Sequence, residues 1–311
     1  MKLSRAELKN LMKNKLIKAG LSEDHADITA EILTWSDERG YHSHGAVRVE
    51  YYSERIAKGG ITVAPNFEWK ETGPCSAVFE GDNGCGYVAA KEAMEKAIEM
   101  AKKNGIAVVG IRNISHSGSL GYYTEMAADK DLVAISFCQS DPMAVPMGGT
   151  EPYYGTNPIS FAAPTADERK VVFDMATTVQ AWGKILDKRS RGESIPDTWA
   201  VDEAGNPVTN PNLVNALVPI AGAKGYGLMM MVDVFSGILT GVPFGKHVSS
   251  MYDDCSKGRA LGQMHIVMDP NRFVGLDEFK KNMSTTCDEL NAMPTAKGCD
   301  KVYYPGERAV M

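Results

Sequence analysis

At 311 residues the chain is longer than the common single domain, so one large domain or two intertwined ones is expected, with roughly 75% of the unfolded surface buried on folding. Hydrophobic residues make up 44% and charged residues 23%, a balance that excludes a disordered or fibrous chain. Thirty-three Lys and Arg against 39 Asp and Glu leave a formal charge of −6, interspersed and without a basic block, which excludes a nucleic-acid backbone as the expected partner.

In chain order, the opening MKLSRAELKNLMKNKLIKAGL alternates Lys with Leu and has no unbroken apolar run, so neither a signal peptide nor an anchor is expected. Ser4-Arg-Ala-Glu7 has the spacing of a capping box, and Leu8, Leu11, Leu16 and Ile17 continue at near-helical intervals. A second helix is predicted from Ser22 towards Arg39-Gly40. A third carries Val47, Val49, Tyr51, Tyr52 and Ile56 and stops at Gly59-Gly60.

From about Ile61 short apolar runs alternate with helical stretches. Ser76–Phe79, Ile106–Ile111 and Leu132–Phe137 read as strands, with Tyr87–Lys103 and Leu120–Lys130 as helices between them. This rhythm predicts an α/β class. Val171–Phe173 follows as a strand and Thr178–Leu186 as a helix, and Arg191–Pro211 reads as a long surface excursion. Gly225–Gly241 is the most apolar stretch, but it carries Asp233 and falls short of the roughly 20 residues of a span, so a buried helix is predicted and no membrane partner. A strand at His265–Met268 and a helix at Leu276–Leu290 complete the chain. The six cysteines show no Cys-x-x-Cys spacing and read as reduced thiols, which suits a cytoplasmic protein.

Candidate chemistry is sparse enough to weigh residue by residue. Gly81-Asp-Asn-Gly84-Cys-Gly86 precedes a helix, but its spacing is not the Gly-x-Gly-x-x-Gly of a Rossmann turn, and there is no P-loop. The helix opening at Lys224-Gly-Tyr-Gly could hold a phosphate through free amides, dipole and ammonium. Of six histidines, His25 and His247 are expected in solvent and His265 in the core. His116, in Ile111-Arg-Asn-Ile-Ser-His-Ser-Gly118, falls where a buried strand gives way to a helix, the place where α/β folds gather catalytic groups. An imidazole there suits proton removal near neutrality; a structural place for it stays open on position alone.

His44, Arg48 and Tyr52 are spaced four and four apart, which on a helix makes one stripe. Arg48 could grip a carboxylate with its fork while His44 and Tyr52 bond the neighbouring groups. A plain polar helix face is the alternative. His42-Ser-His44 lacks further ligands at suggestive spacing, so no metal is expected. Ser140–Gly149, continued through Tyr154–Pro158, has the glycines and prolines of a rigid loop suited to lining a site.

Taken together, Ser43-His-Gly-Ala-Val-Arg48, Ser115-His-Ser-Gly118, Gly155-Thr-Asn-Pro158, Asp174-Met-Ala-Thr177, Lys224-Gly-Tyr-Gly-Leu228 and Pro305-Gly-Glu307 resemble, in order, the malate/L-lactate dehydrogenase superfamily. Within it, Cys138–Met143, Asp174–Gly183, Ser194–Trp199 and Val248–Asp253 are most similar to the ureidoglycolate dehydrogenases. The resemblance implies a mixed-sheet, non-Rossmann nicotinamide-binding core and an N-terminal helical segment at the substrate. The chain would divide into residues 1–62 lining the substrate, 63–270 binding cofactor and 271–311 packing back on the helical part, the last shorter than in relatives. It implies NAD-dependent oxidation of (S)-ureidoglycolate to oxalurate in allantoin catabolism, by a homodimer or larger assembly. In that reading His116 accepts the proton, and His44, Arg48, Tyr52 and Asp141 face the substrate. Ser140, Asp174, Met175, Ala176, Lys224, Gly306, Glu307 and Arg308 contact NAD. Malate, L-lactate or sulfolactate dehydrogenases, and reducers of cyclic imino acids, are the alternatives within the superfamily.

Overall fold

Ser4 begins the first helix, α1 (Arg5–Ala19), with the reciprocal cap its spacing predicts: its Oγ accepts from Glu7 N at 3.3 Å and Glu7 Oε2 accepts from Ser4 N at 2.8 Å. The structure is a computed structural model and describes residues 3–310. Ser22 caps α2 (Glu23–Glu38), and Met12 and Leu16 of α1 join Ala26, Ala30 and Leu33 of α2 in the core.

The third predicted helix is broken. Two 3-10 turns, His42–His44 and Ala46–Arg48, precede α3 (Val49–Ala57). The Asp37 carboxylate causes the break: it accepts from Ala46 N at 2.7 Å and bonds His42 Nδ1 at 3.0 Å, and it fills the space a side chain at Gly45 would need. His44, Arg48 and Tyr52 therefore do not form a single helical stripe.

Seven strands build the main sheet: β1 (Glu68–Gly73), β2 (Ser76–Gly84), β3 (Ile106–Ile114), β4 (Val133–Cys138), β5 (Ile159–Pro164), β6 (Lys170–Met175) and, numbered after two short strands below, β9 (Leu261–Met268). Their spatial order is β1-β2-β3-β9-β4-β5-β6, and only β2 and β3 run parallel. The β-α-β-α-β rhythm gave the right class but not the neighbours, because β9 lies between β3 and β4 and runs antiparallel to both. One face packs on α4 (Gly86–Asn104) and α5 (Leu120–Ala128), with Ala93, Met94 and Ala97 buried in one cluster with Ala107, Val109 and Ile111. Leu16, Leu33 and Ile56 of the N-terminal helices belong to that same cluster, so they share the core of the sheet.

Two expected elements are re-read. Arg191–Pro211 is no mere surface excursion: β7 (Ala200–Val201) pairs with β8 (Ala216–Leu217), and Ile195, Ala200, Val208 and Leu217 bury against Ile185, at the middle of α6 (Trp182–Arg191). The apolar stretch after Lys224 forms α7 (Ala223–Asp233) and a π-turn, Val234–Ile238, laid on the other face of the sheet over Phe137 and Met264. One side alone reaches the sheet, which leaves Met230, Ile238 and Leu239 about half exposed or more, at 49%, 51% and 63%. At the end, α8 (Leu276–Ala292) buries Cys287 with Val171 and Tyr304, and Gly306 sits against the backbone of Val172. No described helix is long and apolar enough to cross a membrane.

Candidate active site

The loop after β3 is fastened on every side. Ser115 Oγ accepts from Gly86 N at 2.9 Å, Ser117 Oγ donates to Gln263 Oε1 at 2.7 Å, and Tyr123 Oη donates to Ser117 O at 2.6 Å. Gly86 explains the glycines that fail as a dinucleotide turn: a Cβ there would collide with the Ser115 and His116 backbone. Gly86 lets the His116 loop come close, whereas a Cβ at Gly81 would meet Ile114 and Asn113, and one at Gly84 would meet Pro65 and Phe67.

His116 presents its imidazole between two partners. Its Nδ1 lies 2.6 Å from Tyr52 Oη and 3.3 Å from Gly118 N, and its ring stacks on His44 with centroids 5.8 Å apart. Nε2 has no hydrogen-bond partner among the described residues. Burial pushes the imidazole well below the ordinary 6.5, and repulsion from neighbouring His44 should both rings be protonated, and from the charged Arg48 and Arg259, adds to the effect. Burial, then Arg48, takes His44 down to about 4. Both rings are neutral at pH 7.

Arg48 is fixed by two of its nitrogens. Nε donates to Ser43 O at 2.6 Å and Nη1 to Tyr252 Oη at 3.3 Å, while Nη2 has no partner among the described residues. Together His116, His44 and Arg48 line a cavity of about 220 Å³, with Ser140, Asp141, Asp174, Met175 and Ala176 on the same walls. Sequence positions from 41 to 252 thus converge on one small space, and among the described residues no other Lys or Arg lines it.

The remaining sequence candidates sort by place. Tyr52 lies behind His116 and is 3% exposed, so it touches the imidazole rather than lining the cavity. Asp141 lines the cavity, but both its oxygens are engaged: Oδ1 with Arg259 Nη2 at 3.1 Å, Oδ2 with Met251 N at 2.9 Å. It holds the segment that bears Tyr252. Ser140 Oγ accepts from Thr156 N at 2.8 Å. Asp174 accepts from Gly121 N at 2.8 Å, yet burial outweighs this and raises its carboxyl to about 6. Gly306 and Glu307 line a separate groove of about 960 Å³ with Arg39, Lys170 and Tyr304, and Arg308 a small recess beside it. Tyr41 lines both the cavity and the groove, so the two adjoin. Lys224 lies on the exposed first turn of α7 and lines neither, although Ile220, just before it, bonds Thr177, just after Ala176.

Several contributors carried no signal as single residues. Tyr87, read only as the start of an amphipathic helix, bonds Tyr52 Oη at 2.9 Å. Tyr252 and Arg259 reach the site from a loop given no role, and Tyr41 and Trp182 join its walls. His265 is a core residue as expected, with Nδ1 2.7 Å from Ser136 Oγ and Nε2 3.1 Å from Ala90 O. His25 is half-buried against Phe67 rather than in solvent. The six cysteines are all unpaired. Among the described residues no three His, Cys, Asp or Glu side chains gather as metal ligands.

Comparison with known proteins gives the family of the chain. Residues 3–311 match the malate/L-lactate dehydrogenase family. The chain is 58% identical over 307 residues to the ureidoglycolate dehydrogenase (NAD(+)) of Escherichia coli strain K12, covering 99% of this chain and 88% of that one. It is 37% identical over 314 residues to the malate/(S)-sulfolactate dehydrogenase of Methanothermus fervidus, covering 99% and 90%. The solved structure of sulfolactate dehydrogenase from Methanocaldococcus jannaschii superposes with a TM-score of 0.92 at 35% identity, covering 99% of this chain and 89% of that one. The chain belongs to the malate/L-lactate dehydrogenase family.

Proposed function

We propose that the chain oxidises (S)-ureidoglycolate to oxalurate with NAD, as a step of allantoin catabolism. The observation that carries this reading is the pairing, in one small cavity, of a neutral imidazole with an unpartnered Nε2 and a guanidinium with an unpartnered Nη2. A 2-hydroxy acid presents two matching groups, a carboxylate for Arg48 and an adjacent hydroxyl for His116. The choice of tail rests on charge. Malate and sulfolactate carry a second anion, which calls for a second cation, and Arg48 is the one Lys or Arg on the described walls. A neutral ureido group needs hydrogen bonds instead, which Tyr252, Thr156 and Ser140 can exchange.

The walls fit a nicotinamide. Leu120, Pro158, Met175 and Ala176 offer an apolar side to a flat ring, Asp174 offers a buried carboxyl, and the adjoining groove of about 960 Å³ with Arg39 and Lys170 has the volume and the cations for the rest of a dinucleotide. Gly306, Glu307 and Arg308 would hold the far end there, and Ser140, Asp174, Met175 and Ala176 the near end, with Lys224 closing from α7. When bound, NAD supplies the hydride acceptor. The rest is the work of this chain: Arg48 holds the carboxylate and so aims the carbinol carbon, and His116 Nε2 takes the hydroxyl proton. General-base help of this kind is worth about 10² to 10⁴ in rate, and positioning adds to it. Tyr52 supports the imidazole, His44 flanks it, and Asp141 holds the wall bearing Tyr252.

In this reading residues 1–62 line the substrate, 63–270 bind cofactor and 271–311 pack back on the helical part. The enzyme works in the cytoplasm as a homodimer or larger assembly; the half-exposed Met230, Ile238 and Leu239 are the kind of apolar face that a second copy covers. The test is NAD reduction with freshly prepared ureidoglycolate, malate, lactate and sulfolactate, with His116→Ala as control. Turnover of ureidoglycolate above the others is expected, and His116→Ala should lose at least about 10²-fold in kcat while binding NAD as before. Preference for another acid would discard the substrate, and near-normal turnover by His116→Ala would discard the base.

A further inference from the structure

Tyr87 is the second residue of α4, is 1% exposed and does not line the cavity. A phenol hydroxyl buried this deeply needs a partner. It has one: Tyr52 Oη at 2.9 Å, which in turn lies 2.6 Å from His116 Nδ1. Neither hydroxyl has another hydrogen-bond partner among the described residues, so Tyr87, Tyr52 and His116 form a short chain with a blind end.

Such a chain can run in two directions. Inward, Tyr87 donates to Tyr52, Tyr52 donates to Nδ1, and the proton of the neutral ring sits on Nε2, where it blocks proton uptake. Outward, Nδ1–H donates to Tyr52 Oη, Tyr52 donates to Tyr87 Oη, and Nε2 keeps its lone pair. Once Nε2 has taken the substrate's proton both ring nitrogens carry hydrogen, so the outward direction is again the only one that bonds every group between ring and Tyr87. Two features oppose it. Gly118 N–H faces Nδ1 from 3.3 Å, and the Tyr87 proton has no other acceptor among the described residues. The imidazole is thus held between two tautomers, and the acceptor on Tyr87 is what keeps the useful one within reach.

We propose that Tyr87 is a positioning residue for proton transfer, acting through Tyr52 by accepting the Tyr52 hydroxyl proton whenever His116 Nδ1 carries hydrogen. This rests on His116 being the base. Tyr87→Phe keeps the ring and removes the acceptor. Tyr52 then finds its one remaining acceptor in Nδ1, and His116 becomes a weaker base.

The experiment compares wild type, Tyr87→Phe, Tyr52→Phe and the double variant, with His116→Ala alongside. Tyr87→Phe should lower kcat for the hydroxy acid about tenfold, the rate equivalent of one hydrogen bond, with KM changed less than about twofold. The acid limb of its kcat/KM profile should move to lower pH. The groups facing His116 are Tyr52 from α3, Tyr87 from α4, His44 and Arg48 from the turns before α3, and the charge of Arg259; all but the tyrosines are untouched in this series. Nitrogen-15 spectra of histidine-labelled protein should show the Nδ1 signal of His116 moving towards the unprotonated range. The double variant should be no slower than Tyr52→Phe alone, since both act on one chain. A Tyr87→Phe enzyme with wild-type kcat overturns the proposal. So does a slower one whose pH profile and ring-nitrogen signals stay in place, which would mark Tyr87 as structural only. If His116→Ala stays active, it is the base assignment that fails; if it is dead while Tyr87→Phe is normal, this inference alone fails.

Discussion

Arg48 divides its guanidinium between structure and substrate. Nε and Nη1 are held by Ser43 O and Tyr252 Oη, which leaves Nη2 for a ligand. A lysine gathers its three donors on one nitrogen and lacks the planar fork that reaches Ser43, Tyr252 and a carboxylate from separate nitrogens. Arg48→Lys is therefore expected to raise KM for the hydroxy acid about 10- to 100-fold, with a smaller fall in kcat, the scale of one charge-assisted hydrogen bond. Steady-state kinetics check this, and unchanged constants would remove Arg48 from the site. At this scale the sequence was most legible where chemistry and local signal coincide. His116 stands out because it follows a buried strand and sits between two serines. The meeting of His44, Arg48 and Tyr52 was anticipated, but by way of a helical stripe; the turns around Gly45 bring them together instead. Tyr87 and Arg259 were invisible, since each acts through a partner far along the chain, Tyr52 and Asp141. Nothing in a local window marks a tyrosine at a helix start as the end of a hydrogen-bond chain.

The segment from Val248 to Arg259 is a strap across the cavity, and its attachment is unusually polar. Asp141 Oδ2 accepts from Met251 N at 2.9 Å, Tyr51 Oη and Arg55 Nη1 donate to Met251 O, and Arg259 Nη2 bonds Asp141 Oδ1 at 3.1 Å and Ser249 O at 2.8 Å. Asp141 and Arg259 are 7% and 2% exposed at the side chain, so neither charge has water to fall back on. Removing one partner of such a pair costs about 3 to 5 kcal/mol. Asp141→Asn should destabilise by about that much in denaturant titration. It should also raise KM, because Tyr252 loses the support that places it beside Arg48. Unchanged stability would show that the strap is held by its other contacts. Elements with a clear periodic or capping signal, α1, α2 and α4, were read nearly to the residue. β1 and β5 were not. Glu68–Gly73 pairs with β2 alone, at the edge of the sheet, and its residues are mostly polar, while Ile159–Pro164 follows a loop rich in Gly and Pro and ends in proline. Their strand character comes from the partners they meet, which no local pattern records.

Across the whole molecule, three fully buried histidines are kept neutral by burial, His116 well below the ordinary 6.5 and His44 and His265 at about 4, and burial lowers the half-buried His25 as well. Each of the three binds a proton in the unfolded chain below about pH 6.5 and not in the fold, so each contributes stability that is full above that pH and lost as the pH falls towards 4. Asp174 works the other way. Raised from 3.8 to about 6, it is protonated in the fold and ionised in the unfolded chain over that interval, which offsets one histidine. These four groups leave a net uptake of roughly two protons on unfolding, or about 2.7 kcal/mol per pH unit. Stability from denaturant titration should fall between pH 7 and 4.5, and His265→Gln should flatten the slope by about 1.4 kcal/mol per unit. A flat profile would mean that the histidines are not held neutral. The order of the strands has a consequence for how the chain is made. Among the described strands β9 is the last in chain order and the central one in the sheet. Until it emerges, β1-β2-β3 and β4-β5-β6 are two half-sheets, each with a bare edge of unpaired amides that a neighbouring nascent chain can capture. The sheet is zipped shut from its middle once β9 has been made. Gln263 of β9 receives the Ser117 hydroxyl at 2.7 Å, so this fastening of the His116 loop arrives only with that strand, and catalytic competence waits for the middle of the sheet to be filled.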